Sequence, residues 1–136
     1  MEDFVPFLLA KKLKEKGFNY PCIGHYVNNQ LYVAHYQNAF HSDNNESIDA
    51  PTISQVLKWL REEKKIFVAI NICYCYESYE KPFPTNHKME PILKGYYYGV
   101  WDLGNLNDKN ALSEYFESPE LAALAGIEYV IDNNLI

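Results

Sequence analysis

The chain has 136 residues, 48% of them hydrophobic and 22% charged, which is the size and composition of one globular domain. Its net charge of −6 lies wholly in the last third, because residues 1–101 carry eleven acidic and eleven basic side chains, whereas residues 102–136 carry seven acidic side chains and only Lys109. An acidic balance disfavours binding to nucleic acid or to an anionic membrane, and it favours a protein partner with a basic surface.

The first predicted elements are a helix and a hairpin. An apolar stripe flanked by lysines predicts a helix over residues 6–16, which the following glycine ends. Residues 23–27 and 30–36 flank Asn28-Asn29, and Asn tolerates the positive φ that a two-residue hairpin turn requires. The register of this hairpin places two pairs of side chains opposite each other: Tyr26 with Leu31, and His25 with Tyr32.

A long polar loop and a second helix follow the hairpin. The loop covers about residues 37–51. Thr52 is suited to cap a helix that ends near Lys65, with Gln55 as its capping-box partner. The apolar stripe of this helix has helical spacing and consists of Ile53, Val56, Leu57 and Leu60.

The next predicted elements are two strands joined by a second long loop. Residues 66–77 predict a strand in which even-numbered and odd-numbered positions lie on opposite faces, and both faces are rich in apolar side chains. A proline-bearing loop over about residues 78–94 leads to a second strand over residues 95–103. Because the odd-numbered face of the strand over residues 66–77 is also apolar, we expect it to be partly covered.

A serine cap and a proline begin the last predicted helix. Ser118 and Pro119 form a strong helix start, while residues 112–116 are compatible with either a short helix or an extended segment. The predicted order is therefore α-β-β-α-β-β-α. We expect a single α+β domain over residues 1–136, with a four-stranded antiparallel sheet and the helices on one face.

Three segments carry patterns of caps and apolar positions that occur together in one group of proteins: Phe4-Val5-Pro6, Ala10, Leu13-Lys14 and Gly17-Phe18; Ala50-Pro51-Thr52, Val56 and Trp59-Leu60-Arg61-Glu62; and Ala122 with Gly126-Ile127-Glu128-Tyr129. In these segments the chain resembles small bacterial proteins carried by phages and mobile elements. The group has no established activity and no catalytic residues to transfer. What the resemblance implies is a genomic context of virus against host.

The chain has no sequence feature typical of secreted or membrane-inserted proteins. Its acidic start, Met1 to Phe4, lacks the basic region of a signal peptide, and the apolar run over residues 66–70 is too short to span a bilayer. Three cysteines, an odd number, fit reduced thiols. We therefore expect a cytoplasmic protein.

Metal binding and thiol chemistry are the alternatives that the cysteines raise. Cys73 and Cys75 point the same way on a strand, but their spacing is tighter than that of the common zinc motifs, and Cys22 with His25 does not complete a second pair. Small buried hydrophobes are the better account of these thiols, so no cofactor is predicted. A Cys–His pair assembled in space stays open, with His35, His41 and His87 as the remaining histidines.

Few features of the sequence support direct nucleic-acid binding. Lysines make the first two helices locally basic, and Tyr96-Tyr97-Tyr98 offers a strand on which bases could stack. The pI of about 5.1 is far from the basic balance of such proteins, and no nucleic-acid-binding motif is present.

The leading interpretation is a non-enzymatic protein-binding module. The resemblance sharpens it to an inhibitor or modulator of a host system, such as a nuclease-based defence of the anti-CRISPR kind, whose basic nucleic-acid groove would meet the acidic surface. The alternatives are a small metal- or Cys/His-dependent enzyme and a structural or accessory phage protein. The hypothesis assigns partner binding to five acidic and three aromatic side chains: Glu114, Glu117, Glu120, Glu128, Asp132, Tyr96, Tyr98 and Trp101.

Overall fold

The computed structural model describes residues 3–33, 47–76, 91–104 and 111–136. In chain order the elements are α1 (Phe7–Glu15), β1 (Gly24–Val27), β2 (Gln30–Val33), β3 (Ser47–Ala50), α2 (Ile53–Glu63), β4 (Ile66–Tyr76), β5 (Pro91–Asp102), β6 (Ala111–Leu112) and α3 (Pro119–Asp132). The protein is therefore of the α+β class that the sequence predicts.

The strands form two three-stranded antiparallel sheets, with the orders β2-β1-β3 and β4-β5-β6. The prediction of one four-stranded sheet is wrong. The physical reason is that β1 is paired on both of its edges, since Gly24 lies opposite Val33 on one side and Ala50 on the other. Strand β3 takes the second edge of β1, and the long strands β4 and β5 pair with each other and with β6 in a sheet of their own.

The two additional strands lie where the sequence predicted a loop or left the structure open. Residues 47–50, at the end of the first predicted loop, form β3, and β6 begins just before the segment 112–116. Residues 91–94, at the end of the second predicted loop, belong to β5. Residues 37–46 and 78–90, the rest of those loops, lie outside the described ranges, as do residues 34–36 and 77, which were predicted to end two strands.

Local signals produce the turns and caps that the sequence predicts. Asn28 and Asn29 have φ of 50° and 65°, and the hairpin register pairs Tyr26 with Leu31 as predicted. The capping box of α2 is confirmed: the Gln55 N–H donates to Thr52 Oγ1 over 3.3 Å, and the Thr52 N–H donates to Gln55 Oε1 over 2.9 Å.

The first and last helices, α1 and α3, also have start or stop signals that the sequence predicts. Ser118 caps α3, since its Oγ accepts from the Leu121 N–H over 3.1 Å, and Pro119 is the first helical residue. Gly17 follows α1 with a φ of 88°, a conformation that favours glycine. Pro6, predicted inside the first turn, is instead the extended N-cap residue of α1.

One core joins the three helices to both sheets. Its buried residues include Leu13 of α1, Trp59 of α2, Ile127 of α3, Ala50 of the first sheet and Val100 of the second. Helices α2 and α3 both contact β4, and α3 also contacts β5. In the described part of the chain, no helix is long and apolar enough to cross a membrane.

Gly126 sets how closely α3 approaches the second sheet. A Cβ at this position would lie 2.7 Å from Val68 Cγ1 and 3.1 Å from Tyr98 Cγ. The even-numbered residues of β4 and β5 near this contact, such as Val68, Tyr98 and Val100, therefore face α3, and the odd-numbered residues face away. The sheet thus has an inner face, packed on the helices, and an outer face.

Candidate interaction surface

The outer face of the second sheet carries large aromatic and aliphatic side chains. Phe67 of β4 and Trp101 of β5 lie directly opposite each other, with ring centroids 6.5 Å apart. The solvent-facing side of an antiparallel sheet usually carries polar side chains instead. We call the following set the outer aromatic face: Phe67, Tyr97, Trp101, Leu112 and Tyr115.

Gly99 holds Trp101 against the sheet. A Cβ at Gly99 would overlap the ring of Trp101 and would lie 3.3 Å from Leu112 Cδ2. The indole ring and the leucine side chain therefore converge over the glycine backbone, on the outer face. A residue with any side chain at this position would force the ring away from the sheet.

The segment that follows β6 runs beside β5 and contains one extra residue. The Ser113 N–H donates to the Tyr98 carbonyl over 3.0 Å, and the Tyr98 N–H donates to Ser113 Oγ over 2.9 Å. Further on, Tyr96 and Phe116 pair through both of their backbone groups. Since three steps along β5 are matched by four steps from Leu112 to Phe116, the segment bulges between its two points of attachment.

The bulge exposes an acidic and an aromatic side chain next to each other. Glu114 is exposed, and Tyr115 is 60% exposed with its ring edge-on to Tyr97 at 6.3 Å between centroids. Gly95, with a φ of 146°, allows the close approach, because a Cβ there would lie 2.8 Å from the Phe116 carbonyl oxygen. The bulge therefore extends the outer aromatic face and places a carboxylate at its rim.

An open depression of about 270 Å³ lies on this face. Its lining is mainly apolar and contains one thiol. The lining residues are Cys73, Tyr97, Leu112, Ser113 and Tyr115. The depression is large enough to receive one large side chain.

The structure separates the three aromatic residues that the sequence assigned to partner binding. Trp101 lies on the outer face. Tyr98 lies on the inner face, with its ring 6.1 Å from that of Phe116 and 6.0 Å from that of Tyr129. Burial, with a smaller contribution from Tyr129, raises the pKa of Tyr98. Tyr96, opposite Ile72, shares the inner side and is half-buried.

The five acidic residues of the hypothesis divide into two groups. Glu114 and Glu117 are exposed on the segment beside β5, and Glu120 is half-buried in the first turn of α3, where its charge complements the helix dipole. Glu128 and Asp132 lie further along α3 and are exposed. In the first group, Glu114 adjoins Tyr115 of the outer aromatic face, and Glu117 follows at the end of the same segment.

Lysine from α1 offsets part of the second acidic group. The Lys12 Nζ donates to Asp132 Oδ1 over 3.0 Å. This hydrogen bond, the charge of Asp132 and the charge of Glu128 raise the pKa of Lys12. The acids of the last helical turns therefore belong to a mixed-charge surface, whereas Glu114 and Glu117 carry the negative charge beside the aromatic residues.

The thiols occupy different environments. Cys22 is buried, and its Sγ donates to the Tyr20 carbonyl over 3.3 Å. Burial, and then the charge of Asp49, raises the pKa of Cys22 to about 12, which keeps it a neutral thiol. Cys73 is half-buried on the outer face.

The described residues give little support to a Cys–His pair or to a metal site. His25 belongs to β1, in the other sheet from Cys73. Among the described residues, no group of three His, Cys, Asp or Glu side chains is placed to hold a metal ion. The side chain of Cys75 and the residues His35, His41 and His87 lie outside the described part of the structure.

Sequence reasoning named Tyr97 as a residue on which bases could stack, but it did not assign protein binding to four members of the outer aromatic face: Phe67, Tyr97, Leu112 and Tyr115. The alternation of residues 66–77 already placed Phe67 and Cys73 on one face, but it gave no means of deciding which face the helices cover. Gly126, a glycine in the interior of a helix, was the signal for close packing on the opposite face.

Comparison with known proteins assigns no relative to this chain. No family model matches it, and neither a curated protein nor a solved structure matches it. The resemblance to phage- and mobile-element-borne proteins stays a prediction.

Proposed function

We propose that this protein binds another protein through the outer aromatic face. The observation that carries the proposal is the exposure of large apolar side chains on one sheet face: Phe67 is 39% exposed, Leu112 68% and Tyr115 60%. Tyr and Trp are enriched at the centres of protein interfaces because they combine a large apolar area with a polar group. The depression beside Tyr97 offers a place for an anchoring side chain of the partner.

The charge at the rim favours a partner with a basic surface. Glu114 and Glu117 are exposed next to the aromatic residues, and complementary charges speed the encounter of two proteins. A host defence nuclease, whose groove must be basic in order to hold nucleic acid, is the kind of partner that we propose. The resemblance to mobile-element proteins supports this choice.

The proposal is tested by a pair of leucines with equal exposure. Leu112 on the outer aromatic face is 68% exposed and Leu8 on α1 is 70% exposed, so Leu112→Glu and Leu8→Glu make the same chemical change at two surface positions. The immobilised wild-type chain and both variants are used to recover binding proteins from a bacterial lysate at moderate salt.

We expect Leu112→Glu to reduce recovery of the specific partner about tenfold or more, because it places a charge in the centre of the interface. Leu8→Glu should leave recovery unchanged. Recovery of no stoichiometric protein by the wild type, or equal loss in both variants, would contradict the proposal. Far-UV circular dichroism of each variant checks that the fold is retained.

A further inference from the structure

Among the described residues, one edge of the second sheet is a long strand without the charged residues or prolines that usually protect such an edge. Strand β4 runs for 11 residues, Ile66–Tyr76, and contains no charged residue, proline or glycine. Natural edge strands usually carry lysine, proline or a bulge, because unpaired backbone groups invite pairing with another chain. The pairing of β4 with β5 is regular from Ile66 to Cys73, and its register shifts between Cys73 and Tyr74. In the described ranges, β5 is the strand that pairs with β4, and the opposite edge of β4 has no strand beside it.

The hydrogen-bond pattern identifies the backbone groups at this edge. Tyr96 and Tyr98 of β5 direct their N–H and C=O groups to the segment after β6. Successive residues of a strand point these groups to opposite sides, so from Gly95 to Trp101 the odd-numbered residues of β5 bond to β4. Their partners are also odd-numbered: Phe67 pairs with Trp101, Ala69 with Gly99 and Asn71 with Tyr97.

The even-numbered residues of β4 therefore direct their backbone groups outward. This applies to Val68, Ile70 and Ile72, whose N–H and C=O groups point to the open edge. The hydrogen bond from the Leu103 N–H to the Lys65 carbonyl, 2.8 Å long, agrees with this alternation, because Lys65 is odd-numbered and bonds toward β5.

Apolar side chains accompany these backbone groups on both faces of the edge strand. Ile72 is 58% exposed and Tyr74 56% exposed, and Phe67 on the outer face is 39% exposed. A second strand beside β4 would therefore bury apolar area as well as satisfy backbone groups.

We propose that a second copy of this chain pairs with β4, antiparallel and about a two-fold axis near Asn71, so that two sheets join into one of six strands. Asn71 is the midpoint of the strand, so an axis there pairs the largest number of residues. It places Ile70 opposite Ile72, both of which point their backbone groups outward. Even-numbered residues then face even-numbered ones, and the inner and outer faces continue across the junction.

The charge distribution favours a second copy as the occupant of this edge. Glu114 and Glu117, two exposed acids of the segment after β6, lie beside β5 on the side away from β4. Two chains of net charge −6 would repel each other, but pairing through the uncharged strand keeps these acids on the two far edges of the joined sheet. A basic partner, in contrast, would meet no carboxylate on β4. The inference does not depend on the proposed function.

The test compares a substitution at the edge with an equally exposed one beside it. Ile72→Lys places a charge on the open edge, whereas Leu93→Lys places the same charge on β5, at a residue that is 55% exposed and lies opposite Tyr74. Ile72→Pro is the second edge variant, because it removes an outward N–H without removing a bond to β5. Molar mass is measured by light scattering over a micromolar to millimolar range of the whole chain.

We expect a dimer for the wild type and for Leu93→Lys, and a monomer for both variants of Ile72. Hydrogen exchange provides a second measurement: the amides of Ile70 and Ile72 should exchange about tenfold faster when the wild type is diluted to the monomer. A monomeric wild type at all concentrations, or equal dissociation by Leu93→Lys, would overturn the proposal. So would protection of these amides only after a different protein is added.

Discussion

Cys22 illustrates how position decides what a side chain can do. It lies in the core, donates a hydrogen bond to a backbone carbonyl and has the carboxylate of Asp49 nearby. Both the burial and the charge oppose formation of the thiolate, which is the reactive form. The same residue type at position 73 lines an open depression on the outer face.

Alkylation should therefore distinguish these two thiols in the folded protein. With a pKa of about 12, Cys22 is ionised in about one molecule in ten thousand at pH 8, so its reaction with iodoacetamide should be very slow. We expect Cys73 to react faster in the native state, and both thiols to react at similar rates in urea. Peptide mass spectrometry measures the rates, in a Cys75→Ser background because Cys75 shares the peptide of Cys73. Comparable native rates would contradict the burial of Cys22.

Among the secondary-structure elements, the features that could be predicted from the sequence are the ones set by local residues, such as turns and helix caps. The Asn28-Asn29 turn, the Thr52 capping box and the Ser118 cap each depend on residues within a few positions, and each forms as predicted. Strands β3 and β6 have four and two residues, too few for a periodic pattern, and they exist because β1 and β5 provide edges for pairing. These short strands could not be predicted without the tertiary structure.

The face of β4 that the helices cover was likewise beyond local patterns. Both faces are apolar, and the choice is made by α3, which approaches closest at Gly126. This choice decides which predicted aromatic residues belong to the candidate surface: Trp101 does, whereas Tyr98 is held on the inner face by Phe116 and Tyr129.

Gly126→Ala should destabilise the protein although alanine is the better helix former. The helix propensity gain is about 1 kcal/mol, whereas the added methyl group would lie 2.7 Å from Val68 Cγ1, and overpacking of this kind costs about 1–3 kcal/mol. We expect the free energy of unfolding in urea to fall by about 1 kcal/mol. A double-mutant cycle with Val68→Ala provides the control, since removing the two γ-methyl groups should relieve the clash. An increase in stability for Gly126→Ala alone would show that α3 can move outward without cost.

The whole molecule distributes its charge unevenly. The net charge of −6 comes from the last third of the sequence, but the fold places Lys12 of α1 against Asp132 of α3 and leaves Glu114 and Glu117 beside the outer aromatic face. A partner would therefore meet a negative rim at the sheet and mixed charge at the far end of α3. Electrostatic attraction at such a rim acts mainly on the rate of association.

Reversal of the rim charges should slow association with the partner recovered by the wild type. We expect the double variant Glu114→Lys and Glu117→Lys to reduce the association rate about tenfold at low salt, and the difference to shrink as salt is added. The matched control, Glu15→Lys with Glu63→Lys, makes the same change in net charge at exposed positions on α1 and α2. Surface plasmon resonance at several salt concentrations measures the rates. Equal slowing by both double variants would assign the effect to net charge rather than to the rim.

One tryptophan is buried and the other lies at the surface, so the tryptophan fluorescence of the chain can be separated into two contributions. Trp59 is 1% exposed, with the ring of Phe18 5.3 Å away and Lys64 Nζ 5.1 Å from its own ring centroid. Trp101 lies half-buried on the outer aromatic face, over Gly99. A small aqueous quencher should therefore reach the indole of Trp101 and spare that of Trp59, so the quenchable emission reports on the surface while the protected emission reports on the core.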